Sequence, residues 1–185
     1  GRDAELAQLD AAVREVVRQR CARMVTVIGD AGAGKSRLVV ELVHRLGDRV
    51  QVVRGRCLPY GDGITFWPLA SMLREAAQIR DNDGPEAARA KVLELVGERD
   101  VAERLAAATR LSTATFTLAE LMWAARKFLE GLAGRAPLVA VVDDIHWAET
   151  AFLELLEQVL DASAGAPILL LATARHELLD AQPRW

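Results

Sequence analysis

The sequence has 185 residues with 23 basic and 26 acidic side chains, so its formal net charge is −3. The length suits one domain with its own core, and a hydrophobic content of 51% excludes a disordered chain. The mild negative charge gives no direct signal for nucleic-acid binding. The longest apolar stretch is far shorter than the roughly 20 residues of a membrane span, so no membrane partner is predicted.

The expected compartment follows from the ends and the cysteines. The chain begins with charged residues, which is unlike a cleavable signal peptide. The two cysteines, Cys21 and Cys57, lack the spacing of a metal site, and we interpret them as reduced thiols. These features predict a cytoplasmic protein.

Helical and strand-like patterns alternate along the chain. Helices are predicted over residues 4–20 and 35–46, each followed by a short β-branched strand, at 24–28 and 50–54. Thr65 is the predicted N-cap of a third helix, in which Pro68 falls in the first turn.

The second half of the chain continues this alternation. A helix opens at Gly84-Pro85, and the spacing of Thr117 and Glu120 predicts a capping box at the start of another. Strands at 138–142 and 168–172 flank a helix at 152–159. The alternation predicts an α/β fold in which a parallel sheet carries helices on both faces.

The first strand runs directly into a phosphate-binding loop pattern, G-x-x-x-x-G-K-S, at residues 29–36. Glycines let the backbone curl so that N–H groups face phosphate oxygens, and the following helix begins with its positive dipole end there. Lys35 is expected to reach the β- and γ-phosphates, and the Ser36 hydroxyl to bind Mg²⁺. The candidate nucleotide-binding residues here are Gly29, Ala31, Gly32, Ala33, Gly34, Lys35, Ser36 and Arg37.

An acidic pair follows the third strand. Asp143 is the candidate Mg²⁺ ligand, because Mg²⁺ prefers oxygen ligands. Asp144 is the candidate base that orients the attacking water. A solvated Asp-Asp turn is the competing interpretation, which the phosphate-binding loop upstream makes weaker.

Polar residues at the end of the fourth strand complete the candidate catalytic group. Thr173 could hold the water or the phosphate through its hydroxyl, and Arg175 could pair with the γ-phosphate. A surface arginine at a strand end is the alternative interpretation of Arg175. His146 could contact phosphate or water, although packing is the interpretation that we favour.

On these residues the chain resembles the AAA-like ATPase domain of STAND-type signalling NTPases, a group that includes large LuxR-type transcription regulators and multidomain adenylate and guanylate cyclases. The resemblance covers nearly the whole chain. It lies in Gly1-Arg2-x-x-Glu5-Leu6, in residues 29–42, 55–77 and 138–149, and in the strand at 169–175. It implies that Gly1, Arg2 and Glu5 lie near adenine, and that the strand before Arg175 lies between the first and third strands.

The resemblance also implies a P-loop NTPase three-layer α/β/α sandwich. In the family a fifth strand and a helical lid follow, and we expect four strands in this chain, with both of those elements missing. The expected domain spans residues 1–185, with a hinge helix at 1–20 and a core at 21–185.

The function implied is ATP–Mg²⁺ binding with slow hydrolysis, acting as a regulatory switch for effector domains that are covalently attached outside this chain. A nucleotide-dependent homo-oligomer is a further possible partner. Two alternatives stay open: an ATPase that acts on nucleic acid, and a nucleotide-binding scaffold without turnover. A phosphotransferase is a weaker hypothesis, because no acceptor pocket is evident in the sequence.

Overall fold

A single parallel sheet organises the computed structural model, which describes residues 2–59 and 65–181. Its strands are β1 (Ala22–Ile28), β2 (Gln51–Arg56), β3 (Leu138–Asp143) and β4 (Ile168–Ala174). They lie in the order β1-β4-β3-β2, and every neighbouring pair is parallel. The predicted α/β fold with four parallel strands is therefore confirmed.

Helices cover both faces of this sheet. They are α1 (Asp3–Gln19), α2 (Lys35–Leu46), α3 (Trp67–Ala76), α4 (Pro85–Val96), α5 (Arg99–Ala108), α6 (Leu118–Arg135), α7 (Thr150–Ala162) and α8 (Glu177–Ala181). Short 3-10 turns lie at Gly47–Arg49 and Ile145–Trp147. Helices α5 and α8 were not predicted from the sequence.

Alternating side chains of the central strands divide the interior into two cores. Val139, Val141, Leu169 and Leu171 pack with α1 and α2 on one face. The intervening residues of β3 and β4, such as Ala140 and Leu170, pack on the other face with the helices from α3 to α7. This alternation follows from the two-residue period of a strand, and it produces the predicted three layers.

Of the two helix caps predicted from the sequence, the one at α6 is confirmed and the one at α3 is wrong. At α6 the predicted box forms, since the Glu120 N–H donates to Thr117 Oγ1 at 3.3 Å and the Thr117 N–H donates to Glu120 Oε2 at 2.9 Å. At α3 the prediction of Thr65 as the N-cap was wrong, because Phe66 occupies that position. The Thr65 hydroxyl donates instead to the carboxylate of Glu149, so it is engaged in a tertiary contact.

Gly55 of β2 lies directly against the backbone of Pro68 at the start of α3. A Cβ built at Gly55 would lie 2.3 Å from the Pro68 carbonyl oxygen and 2.7 Å from its Cα. We expect Gly55→Ala to lower the free energy of unfolding by about 3 kcal/mol, since backbone atoms must move to admit the methyl group. Urea denaturation measures this change.

The matched control is Gly131→Ala in α6, where the added Cβ meets no atom within 4 Å. This variant is expected to gain roughly 0.5–1 kcal/mol, because alanine has the higher helix propensity. Equal stability of the two variants would show that the approach of α3 to β2 does not restrict residue 55.

Candidate active site

The carboxyl ends of three neighbouring strands meet at one edge of the sheet. The N–H of Gly29, just after β1, donates to the Ala174 carbonyl of β4 at 3.2 Å. The Thr173 hydroxyl of β4 donates to Asp143 Oδ1 at the end of β3 at 2.9 Å. The sheet thus brings together the ends of the strands that carry the phosphate-binding loop, the acidic pair and Arg175.

The phosphate-binding loop adopts a conformation that depends on its glycines. Gly32 and Gly34 have φ angles of 76° and 81°, in the left-handed region that glycine enters without steric cost. The Ala33 N–H donates to the Asp30 carbonyl at 3.2 Å, which closes the turn, and Ala31 is exposed. Helix α2 begins directly after Gly34, so its unpaired N–H groups lie at the loop.

Lys35 lies against the loop that it follows. Its Nζ donates to the carbonyl oxygens of Gly29 at 2.7 Å and Asp30 at 2.9 Å. An ammonium group held there, together with the helix N-terminus, favours an anionic ligand. Ser36 and Arg37 are exposed on the first turn of α2.

The hydroxyl of Thr173 links the two acidic residues. Besides donating to Asp143, its Oγ1 accepts the backbone N–H of Asp144 at 3.1 Å, and the residue is 2% exposed. A buried hydroxyl that donates to one residue and accepts from the next fixes both of them relative to β4. A direct contact from Thr173 to water or phosphate stays a prediction.

Asp144 is held by an arginine that sequence reasoning missed. Arg56, the last residue of β2, donates to Asp144 Oδ2 from Nε at 2.9 Å and approaches it with Nη2 at 2.8 Å. Asp144 has a φ of 56°, a left-handed conformation that aspartate tolerates better than most residues. The parallel register pairs Arg56 with Asp143 across β2 and β3, so knowledge of the strand pairing would have revealed the contact.

Cys57 follows Arg56 in the sequence and contacts the acidic pair through its backbone. Its N–H donates to the Asp143 carbonyl at 2.9 Å, and its side chain is buried. Burial raises the pKa of the Cys57 thiol to about 12, with further contributions from Asp144 and Asp143. The thiol therefore stays protonated and uncharged beside the carboxylates at neutral pH.

Arg175 directly follows the last residue of β4 and lies next to His146. Its backbone N–H donates to His146 Nδ1 at 3.4 Å, and its side chain is exposed. Within residues 2–59 and 65–181, the guanidinium of Arg175 makes no ion pair with a carboxylate. Burial lowers the pKa of His146, and the nearby positive charges of Arg175 and Lys35 act in the same direction, whereas Asp144 and Glu177 oppose them.

The residue before α1 contacts the phosphate-binding loop. The guanidinium of Arg2 donates to the Ala33 carbonyl. A cleft of about 430 Å³ opens there, lined by Arg2, Asp3, Leu6, Gly34, Arg37, Leu38, Glu41 and Arg45. Glu5 is exposed and does not line this cleft, and Gly1 lies outside the described residues.

The donors at this edge fit a magnesium ion that accompanies a nucleotide. Ser36 and Asp143 offer hard oxygen ligands, and Lys35 offers the charge that phosphates require. Across the described ranges, no cluster of three or more His, Cys, Asp or Glu side chains could hold a metal by itself.

In the part of the chain that the structure describes, none of the helices is both long and apolar enough to cross a bilayer.

Comparison with known proteins agrees with this geometry. The chain is 34% identical over 175 residues to an uncharacterized protein of Rhizobium meliloti (strain 1021), and the match covers 85% of this chain and 17% of that protein. No solved structure matches the chain significantly. Residues 1–171 match the family described as the AAA ATPase domain, and the chain therefore belongs to this family.

Proposed function

We propose that the chain binds ATP with Mg²⁺ and hydrolyses it slowly, as a nucleotide-dependent switch module of STAND type. The domain in this proposal comprises residues 1–185, with a hinge helix at 1–20 and a core at 21–185. It controls covalently attached effector domains of a cytoplasmic signalling protein, such as a transcription regulator or a nucleotide cyclase. The chain corresponds to 17% of the Rhizobium meliloti relative, which leaves room in such proteins for other domains.

Each residue of the candidate site has a role in this proposal. Lys35 and the loop from Gly29 to Ser36 bind the phosphates, and Arg175 pairs with the γ-phosphate. Ser36 and Asp143 hold Mg²⁺, which offsets phosphate charge when bound. Asp144 accepts the proton of the attacking water. The cleft beside Arg2 takes the nucleoside.

The observation that carries the slow switch is the ion pair between Arg56 and Asp144. Both guanidinium contacts, at 2.9 and 2.8 Å, go to the same oxygen, Oδ2. The pair occupies Oδ2 and holds the Asp144 carboxylate in one orientation, towards Arg56. In this proposal turnover is slow while the pair is closed and faster in a second arrangement, in which the pair is open and the carboxylate can turn towards water. These are two states that a ligand can select.

The alternatives are less well supported. An ATPase acting on nucleic acid would need a positive surface, and the net charge of the chain is −3. A scaffold without turnover would not need a second carboxylate, Asp144, directly after the candidate Mg²⁺ ligand Asp143. A homo-oligomer that forms when nucleotide binds remains compatible with the proposal.

Arg56→Gln tests the switch. We expect it to raise the basal rate of phosphate release from ATP by the full-length protein about tenfold, because it frees Asp144 Oδ2 without removing the carboxylate. A coupled assay of inorganic phosphate measures the rate, with and without added DNA.

Arg54→Gln is the matched control, since it removes the same charge from the same strand, where Arg54 pairs with Glu75 at 3.3 Å. It is expected to leave the rate within twofold of wild type. A lower rate in Arg56→Gln than in Arg54→Gln would contradict the inhibitory role of the pair. Strong stimulation of the wild-type rate by DNA would favour the nucleic-acid alternative.

A further inference from the structure

His146 connects the acidic loop to the segment that follows β4. It lies in the 3-10 turn Ile145–Trp147, two residues after Asp144, while Arg175 directly follows Ala174 at the end of β4. The ring Nδ1 accepts the backbone N–H of Arg175 at 3.4 Å, across 29 residues of sequence. The contact therefore joins two neighbouring strand ends.

The imidazole serves as an acceptor here. Accepting at Nδ1 requires the lone pair on that atom, which places the ring proton on Nε2. The Nε2 atom is buried and has no hydrogen-bond partner among the described residues. The contact to Arg175 is therefore the polar interaction that the ring makes in this arrangement. A side chain that contributed only apolar packing would not need a hydrogen-bond acceptor at this position.

The backbone of Arg175 is held from both sides. Its N–H is bound by His146, and its carbonyl accepts the N–H of Leu178 at 3.2 Å in the turn that leads into α8. Its side chain, by contrast, is exposed. These two backbone contacts therefore fix the position of the Cα from which the guanidinium extends.

We propose that His146 is a positioning residue for Arg175, and that it sets the preference of the site for a nucleoside triphosphate over a diphosphate. The inference rests on the proposed function, in which Arg175 meets the γ-phosphate. His146 acts through the Arg175 backbone and does not touch the nucleotide. Loss of the acceptor lets residue 175 shift, and the guanidinium then loses its alignment with the phosphate oxygens.

The test compares affinities for a non-hydrolysable ATP analogue and for ADP by titration calorimetry, with Mg²⁺, on the full-length protein. Arg175→Met is expected to lower the ratio of the two affinities about tenfold. His146→Gln, whose oxygen lies where Nε2 was, is expected to lower it by a similar factor. His146→Asn, whose oxygen replaces Nδ1, is expected to keep the ratio within twofold of wild type. Adding His146→Gln to Arg175→Met is expected to change nothing further.

The outcomes separate the inference from the function beneath it. An unchanged ratio in His146→Gln, with a reduced one in Arg175→Met, overturns the positioning role and leaves nucleotide binding intact. Equal losses in His146→Asn and His146→Gln also overturn it, since the position of the acceptor then has no influence. Failure of the wild-type protein to bind either nucleotide overturns the proposed function itself.

Discussion

Replacing Lys35 with alanine is expected to lower the affinity for ATP at least about a hundredfold, or about 3 kcal/mol. The ammonium group lies within hydrogen-bond distance of two loop carbonyls, at 2.7 and 2.9 Å, where the chain supplies no carboxylate partner within the described residues. Its removal takes away charge-assisted hydrogen bonds to phosphate, each of which contributes about 1.5–3 kcal/mol. Titration calorimetry with ATP and Mg²⁺ measures the change.

Lys127→Ala is the control for this variant. Lys127 lies on α6 and pairs with Glu130 at 3.6 Å, so its removal changes the net charge equally at another place. Its affinity for ATP is expected to equal that of the wild type. An unchanged affinity in Lys35→Ala, with folding verified by circular dichroism, would show that the nucleotide binds elsewhere.

Replacing Asp144 with asparagine is expected to leave ATP binding within about threefold of wild type but to lower turnover at least about a hundredfold. An amide of the same shape can still accept from Arg56, and the Asp144 N–H can still donate to Thr173. The amide cannot take a proton from water. Phosphate release by the full-length protein, measured at saturating ATP, reports the loss.

Asp161→Asn, an exposed carboxylate near the end of α7, provides the matched substitution away from the site. Its turnover is expected to match wild type. Undiminished turnover in Asp144→Asn would place the base at another residue, and a parallel loss of ATP affinity would mean that Asp144 contributes to binding.

The features that could be predicted from the sequence depend on residues close together in the chain. The glycine–lysine–serine spacing of the loop, the capping box of Thr117 and Glu120, and the apolar strand before Asp143 each fall within one short window. Their structure follows from local geometry. The strand order that the family resemblance implied was also confirmed, with β4 between β1 and β3.

The features that were missed depend on contacts between distant segments. Arg56 and Asp144 are 88 residues apart, and Arg2 and Ala33 are 31 apart, so no local pattern joins them. Strand ends were likewise misplaced: β1 begins at Ala22 because this residue pairs in register with Ile168 of β4. Helix α5 is short, and its buried face contains two alanines beside Val101 and Leu105, which gave a weak apolar period.

The tight approach at Gly55 has a mechanical consequence for the candidate active site. Gly55 touches the backbone of Pro68, and the next residue along β2 is Arg56, which holds Asp144. Since not even a methyl group fits between the two backbones at this point, a movement of the start of α3 towards the sheet pushes directly on β2. A ligand or partner protein that displaces α3, for instance through the exposed Trp67 beside Pro68, is therefore expected to act on the strand end that carries Arg56. The close packing at Gly55 thus gives the surface of α3 a mechanical route to the candidate catalytic carboxylate of Asp144.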